Sequence, residues 1–474
     1  MSATQLSFGK IFRNYSIKWV FLVAISIFEV GSAVCGAAPS SKVFVIGRTI
    51  AGLGSAGIFT GAILIIVHTI PLRKRPLTTG LVGATFGIAS VAGPLLGGVF
   101  TSKVSWRWCF YINLPIGGAT IAIIMFLLKL PSVETTGLPS TQQIAQLDPI
   151  GFLFLVPSVV CLILALQWGG STYPWNSGRI VALLVIFAML FIAFIAVQIW
   201  KQDGATVPPR ILMQRSIAAG AWFNTCIGGS MLIMAFYLPI WFQALKGVSA
   251  VQSGIMNLPM LLSLVLASML SGVLVTKIGY YTPTMILCSV VASVGAGLIT
   301  TFATDTGHAK WISYQVVYGF GLGMGEHMIH ISSKTSPSAD CSVGMQQASL
   351  AAQTVLPKED VPIGTAIMFF SQSLSGAVFV SVAQNVLTNR LVDGLRSLTY
   401  IDPAVVVSTG ATELKNIVPA EDLQSVLYIY NSALTKASVV ALSVTCFSVL
   451  GSAAMEWKSV KGKGAGGADT HAKV

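Results

Sequence analysis

Charged residues are scarce in this 474-residue sequence: only 9% of the residues are Asp, Glu, Lys or Arg. Soluble domains carry about 25% charged residues. By contrast, 54% of this chain is hydrophobic, and its mean hydropathy is +0.78. This composition excludes a cytosolic enzyme, a disordered regulator and a secreted disulfide scaffold. We therefore expect a polytopic membrane protein.

Cysteine is also sparse, and its spacing matches no metal-binding or disulfide framework. None of the seven cysteines forms a C-x-x-C or C-x-H pattern. Free cysteines of this kind usually pack as small apolar residues among helices. The sequence therefore predicts neither a metal site nor a bound cofactor.

The excess of basic residues does not indicate a nucleic-acid partner. The chain has 28 Lys and Arg against 16 Asp and Glu, a net charge of +12, but the basic residues are spread over short connectors between apolar runs. Basic loops of membrane proteins stay on the cytoplasmic side. The densest basic connectors are 10–18, 73–75, 201–215 and the tail 457–474. We therefore predict that both termini are cytoplasmic.

Twelve apolar runs, each long enough to cross a bilayer with about 20 residues, predict an all-α membrane protein. On the side opposite the basic connectors, the longest predicted loop covers residues 388–435. The runs are 19–38, 43–69, 78–100, 110–130, 149–168, 180–199, 217–244, 250–275, 284–303, 311–325, 363–387 and 433–455.

Two charged residues inside these runs stand out as candidates for proton coupling. Glu29 is well inside the first run, and Arg48 lies about one turn into the second. Charges within a membrane are costly and usually functional. Removal from water favours the protonated form of a carboxylate, which suits Glu29 to binding and releasing protons. A structural ion pair with Arg48, or contact of Glu29 with an aqueous cavity, is the alternative.

The third run carries small residues around a Gly-Pro pair. Small side chains at this spacing form a smooth helical stripe, and Pro94 lets the helix bend. The stripe consists of Gly80, Ala89, Gly93, Pro94, Gly97 and Gly98.

This stripe is similar to the antiporter motif in the fifth span of major facilitator drug:proton antiporters, with Ala89 where that pattern has glycine. Arg48 with Gly52 resembles the superfamily's fourth-span arginine motif. Four further segments resemble the fungal fourteen-span branch, which includes aflatoxin and other toxin efflux pumps. They are 105–115 (SWRWCFYINLP), 147–151 (LDPIG), 238–243 (LPIWFQ) and 345–347 (MQQ).

The resemblance implies two six-helix halves joined by two linker helices, with a central cavity and alternating access. On this basis residues 1–130 form an N-terminal half with four spans, 131–216 form the linker, and 217–456 form the C-terminal half. Because the arginine and Gly-Pro motifs lie in the second and third runs, two of the fourteen spans are expected to be missing at the front.

Residues 326–344 interrupt the tenth run with a polar segment that the resemblance does not predict. Irregular backbone exposed to lipid is not tolerated in mid-membrane. Removing these 19 residues joins Gly325 to Met345 and restores the family pattern. We interpret the segment as a retained intron, or alternatively as a true insertion that splits the helix.

The resemblance implies a transporter, not an enzyme, that exports small amphipathic toxins, secondary metabolites or drugs, driven by the proton gradient. Alternatives are a siderophore-iron transporter of the same superfamily and a truncated membrane protein that does not transport. Asn224 and Gln347, polar residues within C-terminal runs, are candidate cavity residues. We expect the plasma membrane as the location, with a vacuolar or vesicle membrane as alternatives.

Overall fold

The structure is a computed structural model in which α-helices make up most of the described backbone. It describes residues 2–69, 89, 93, 96–101, 103–128, 148–170, 172–278, 280–326, 356, 360–396, 419 and 422–457. This part of the chain contains no β-strand, only one isolated bridge between Gly169 and Tyr173.

Fifteen α-helices are described within these ranges. The first seven are α1 Ser2–Asn14, α2 Ile17–Ala37, α3 Ser41–Thr69, α4 Trp108–Tyr111, α5 Asn113–Leu127, α6 Pro149–Trp168 and α7 Gly178–Lys201. The others are α8 Pro209–Leu212, α9 Arg215–Trp241, α10 Ala250–Met256, α11 Leu258–Ile278, α12 Thr282–Ile299, α13 His308–Glu326, α14 Val361–Leu395 and α15 Leu423–Ala454. A π-helical turn, Phe242–Lys246, continues α9.

Ten of the described helical segments are long and apolar enough to cross a membrane, and they coincide with ten of the twelve predicted runs. Run 311–325 falls in α13, which is helical but less apolar. Run 78–100 lies largely outside the described residues. The all-α membrane architecture is therefore confirmed, whereas the total of twelve spans stays a prediction.

Three apolar clusters hold the helices together. The largest lies among α9 to α15 and includes Phe223, Tyr318 and Leu434. A second joins α2 and α3 to α1 through Phe8 and Phe12. The third cluster joins α1 and the linker helices α6 and α7 to α9 and α14, so the linker helices pack against the C-terminal helices.

Polar side chains inside the C-terminal spans are paired with one another. Thr445 of α15 donates to the Ser230 hydroxyl at 2.6 Å, and the Ser230 and Tyr318 hydroxyls lie 2.7 Å apart. Ser448 donates to Ser289 at 2.8 Å. Because lipid offers no hydrogen bonds, these contacts tie α9, α12, α13 and α15 together.

Two sequence expectations about connectors need correction. The outer segment 388–435 was predicted to be a loop, but α14 continues to Leu395 and α15 begins at Leu423, so both ends of the segment are helical. Lys10, predicted to lie in a basic connector, is instead part of α1 and is almost completely buried. The parts of a helix that extend beyond the apolar region carry more polar residues. Hydropathy alone therefore predicts helices that are shorter than the observed ones.

Candidate functional site

Glu29 and Arg48 both face the helical segment formed by α4 and α5. A Cβ atom added at Gly117 of α5 would overlap the Glu29 carboxylate, so the carboxylate lies directly against the α5 backbone. The Arg48 guanidinium lies 5.9 Å from the centre of the Phe110 ring in α4. Phe110 and Gly117 are about two helical turns apart in the sequence. The two charged side chains therefore contact this segment at different levels.

A polar contact lies between these two levels. Asn113 Nδ2 donates to Ser32 Oγ at 3.3 Å, and Ser32 is three residues from Glu29 on the same helix. Ser32 is buried. Glu29, Ser32 and Asn113 thus form a short polar strip between α2 and α5, in otherwise apolar surroundings.

Glu29 and Arg48 do not pair with each other. Among the described residues, neither takes part in an ion pair within 4 Å. Glu29 Oε2 is buried and has no hydrogen-bond partner there. The described residues therefore do not show the structural ion pair between Glu29 and Arg48 that was the alternative to proton coupling.

Part of the predicted antiporter motif is described, but Gly80 and Pro94 lie outside the described residues. Ala89 and Gly93 are exposed, and a Cβ at Gly93 or Gly97 would meet no atom within 4 Å. A Cβ at Gly98, however, would overlap the Val251 side chain of α10. The backbone at Gly98 therefore lies close to α10, and the role of the stripe as an antiporter motif stays a prediction.

The two candidate cavity residues stay predictions. Asn224 is buried in α9, and its Nδ2 donates to the Met368 carbonyl of α14 at 3.3 Å. This bond joins two helices and occupies a donor that a substrate could otherwise use. Gln347 lies outside the described residues.

Among the described acids, Asp148 accepts the most hydrogen bonds. In the sequence it stands out only as part of the segment 147–151. It is completely buried and precedes α6, where it accepts a hydrogen bond from Gly151 N at 3.0 Å. Lys201 Nζ donates to it at 2.9 Å and Gln198 Nε2 at 3.2 Å. Thr206 donates through its backbone N at 2.9 Å and its hydroxyl at 2.8 Å.

These donors decide the charge of Asp148. Burial by itself raises the pKa of a carboxyl group, but the hydrogen bonds from Lys201, Gly151, Thr206 and Gln198 outweigh it and hold the pKa of Asp148 at about 2. The nearby Lys10 donates to the Gly204 carbonyl. Burial lowers the pKa of Lys10 to about 8, against the attraction of Asp148, which raises it.

A second buried acid, Asp360, lies just before α14. Its Oδ2 is 3.0 Å from Arg210 Nη1, and its Oδ1 is 3.5 Å from Arg13 Nη1 of α1. Arg210 also contacts the exposed Asp203 at 3.0 Å. This cluster connects the first helix, the segment after the linker helices and a C-terminal helix.

One signal in the sequence could have identified both acids. Each precedes a proline near a helix start, in Asp148-Pro149 and in Asp360-Val361-Pro362. Asp is favoured at an N-cap and Pro in the first turn of a helix. Only Asp148 uses its side chain as a cap, while the α14 start has no side-chain cap. The basic partners are too far away in the sequence to be inferred.

Comparison with known proteins gives a single family. The model of the Major Facilitator Superfamily matches residues 1–380. "MFS-type efflux pump MFS1" of Trichophyton rubrum is 55% identical over 463 residues, which cover 97% of this chain and 83% of the relative. "Efflux pump aflT" of Aspergillus parasiticus is 47% identical over 462 residues, 97% of this chain and 86% of the relative.

Solved structures show the same fold at low sequence identity. A bacterial homologue of the human lysosomal transporter Spinster, in an inward-facing and unoccupied conformation, matches with a TM-score of 0.50 and 12% identity, over 96% of this chain and 90% of that one. An auto-inhibited peptide transporter of the POT family also has a TM-score of 0.50, at 14% identity, over 94% and 86% of the two chains.

We predict that Asp148 makes stability fall at low pH. Its pKa is about 2 in the folded protein and 3.8 ordinarily, so its stabilisation is complete above pH 4 and disappears as pH falls toward 2. The shift corresponds to about 2 kcal/mol. Unfolding of detergent-solubilised Asp148→Asn should show a weaker pH dependence in this window, whereas Asp393→Asn, at an exposed pair, should match the parent. Equal pH dependence in all three proteins would contradict the prediction.

We also predict that Gly117→Ala displaces the Glu29 side chain, because the new Cβ would overlap its carboxylate. Since the end of a flexible side chain can move, we expect a destabilisation of about 1 kcal/mol, at the low end of the cost of overpacking. The matched control is Gly118→Ala, since a Cβ at Gly118 meets nothing within 4 Å. Glu29→Ala should rescue Gly117→Ala in a double-mutant cycle measured by thermal unfolding. Additive effects of the two substitutions would show that Glu29 is not the obstacle.

Proposed function

The chain belongs to the Major Facilitator Superfamily and is a membrane transporter, and we propose that it exports small amphipathic organic compounds in exchange for protons. The names of its relatives support export: they include MFS-type efflux pumps and a rubrofusarin-specific efflux pump of Gibberella zeae, 48% identical over 463 residues. The compounds would be toxins, other secondary metabolites or drugs.

The observation that carries proton coupling is the unpaired Glu29 carboxylate. Glu29 Oε2 is buried without a partner among the described residues, so this oxygen can take a proton without first breaking an ion pair. Protonation removes a charge from the contact between α2 and α5, and release of the proton restores it. The position of α2 relative to α5 can therefore depend on the protonation state of Glu29.

Arg48 has a separate role in this proposal. It lies near Phe110, about two turns from the level of Glu29, and is exposed. The two side chains form no ion pair, so we assign Arg48 to the contact between α3 and α4 and not to Glu29 itself. Arg48 would thus couple a change at Glu29 to movement of α3 against α4.

Transport would follow alternating access between an N-terminal part, residues 1–130, and a C-terminal part, residues 217–456. The contact of α1 with α14 would close one end of the transporter. Arg13 and Lys18 and the basic residues of 201–215 support a cytoplasmic location for this end, and we propose that the protein acts in the plasma membrane.

The test is proton-driven export from yeast lacking its own drug pumps. Cells expressing the chain should tolerate an aromatic mycotoxin or rhodamine 6G better than empty-vector cells, and inside-out vesicles should take up the dye when a proton gradient is imposed. Glu29→Gln and Arg48→Ala should each lower gradient-driven uptake at least ten-fold, because the first removes the group that takes the proton and the second removes the cation at the contact between α3 and α4.

The matched control is Asp393→Asn, which removes a carboxylate whose side chain is 64% exposed and should leave uptake unchanged. Surface expression of every variant is measured in parallel. Unchanged uptake in both Glu29→Gln and Arg48→Ala would refute the coupling assignment, and absence of export by the parent chain would refute the proposed function.

A further inference from the structure

Two buried carboxylates lie where α1 meets the linker and α14, and each interacts with two cations of different origin. Asp360 contacts Arg13 of α1 and Arg210 of α8. Asp148 contacts Lys201 of α7 and attracts Lys10 of α1. In both cases one cation comes from α1 and the other from the linker or the residues that follow it.

The two contacts of Asp360 are unequal. Arg210 lies 3.0 Å from Oδ2, whereas Arg13 lies 3.5 Å from Oδ1, and Oδ1 has no hydrogen-bond partner among the described residues. The Asp360 side chain is only 4% exposed. The looser contact is therefore the one that crosses to α1.

Among the described residues, the linker supplies all the hydrogen bonds at Asp148 and α1 supplies none. All five of its hydrogen-bond donors belong to residues 151–206. Lys10 instead donates to the Gly204 carbonyl. If α1 moved away, Asp148 would keep every hydrogen bond and its ion pair with Lys201.

Packing keeps Arg210 with the C-terminal helices. Ile211, the next residue, is 1% exposed and belongs to the same apolar cluster as Ile363 and Ile367 of α14. Asp203 holds Arg210 from the other side at 3.0 Å. Arg210 can therefore remain beside Asp360 when α1 separates from α14.

We propose that Arg210 and Lys201 are permanent counter-cations. They keep Asp360 and Asp148 paired while Arg13 and Lys10 are released. Residues 201–210 therefore determine how readily the transporter opens at the end where α1 contacts α14. The inference rests on alternating access as proposed above. It assigns Arg210 a positioning role that acts through Asp360.

The proposal gives opposite effects for the two arginines. Arg13 contacts Asp360 only while the end is closed, so its removal favours the open state. In the closed state two guanidinium groups share one carboxylate and repel each other, so Arg210 stabilises that state less than the open one, where it is the sole partner. Breaking a buried pair leaves an uncompensated charge, which is costly, so loss of Arg210 favours the closed state.

The experiment measures the distance between spin labels on noncanonical residues at positions 14 and 213, in nanodiscs without substrate. Met213 is 82% exposed, and Asn14 ends α1. We expect Arg13→Ala to raise the ratio of the long to the short distance at least three-fold, and Arg210→Ala to lower it at least three-fold. Arg210→Lys, which keeps the charge, should restore most of the parental ratio.

Two controls make the result specific. Arg396→Ala removes an exposed pair with Asp393 next to the far end of α14 and should leave the ratio unchanged. Arg210→Gln, which keeps most of the side chain, serves if Arg210→Ala fails to fold. A shift toward the long distance in Arg210→Gln or Arg210→Ala would overturn the proposal, as would an unchanged ratio.

The distance measurement is independent of export. Opposite shifts of the two arginine variants in a chain that does not export would support this inference and refute the proposed function. If the parent chain exports but Arg13→Ala and Arg210→Ala shift the distance ratio in the same direction, or leave it unchanged, this inference is refuted and the proposed function stands.

Discussion

An ionised carboxylate that is buried away from water must find its partners within the protein, because an uncompensated buried charge is costly. This constraint explains the arrangement of the few buried charges in the chain. Asp148 accepts five hydrogen bonds, one of them from Lys201. Asp360 has two arginines. In the C-terminal helices, uncharged hydroxyls satisfy the same requirement through pairs such as Ser230 with Thr445.

The partners of Asp148 also explain how two very apolar helices obtain a defined position. α6 and α7 have the highest mean hydropathies of the described spans, 2.6 and 3.3, and apolar side chains alone give little preference for a protein neighbour over lipid. Asp148 precedes α6, Lys201 ends α7, and Thr206 follows in the returning chain. One carboxylate thus joins the beginning of the first linker helix to the end of the second.

Much of the fold could be predicted from the sequence because membrane spans are recognised by length and hydropathy alone. Glu29 could be identified for the same reason, as an acid surrounded by apolar residues. Asp148 and Asp360 could not, because they lie beside spans and resemble ordinary loop charges. Their partners come from distant parts of the chain: Lys201 is 53 residues from Asp148, and Arg13 is at the opposite end from Asp360.

The contrast between the acids distinguishes Asp148, which holds helices in place, from Glu29, the proposed site of proton exchange. Asp148, with a pKa of about 2, stays ionised at every pH that a cell reaches, and its donors would lose their acceptor if it were protonated. Glu29 has an oxygen without a partner and lies against a glycine backbone, so protonation breaks no hydrogen bond there. An acid that exchanges protons during transport must be able to take a proton without losing hydrogen bonds that hold the structure together. Of these two acids, the one with fewer partners meets that condition, which is why incomplete bonding of Glu29 supports the proposed role.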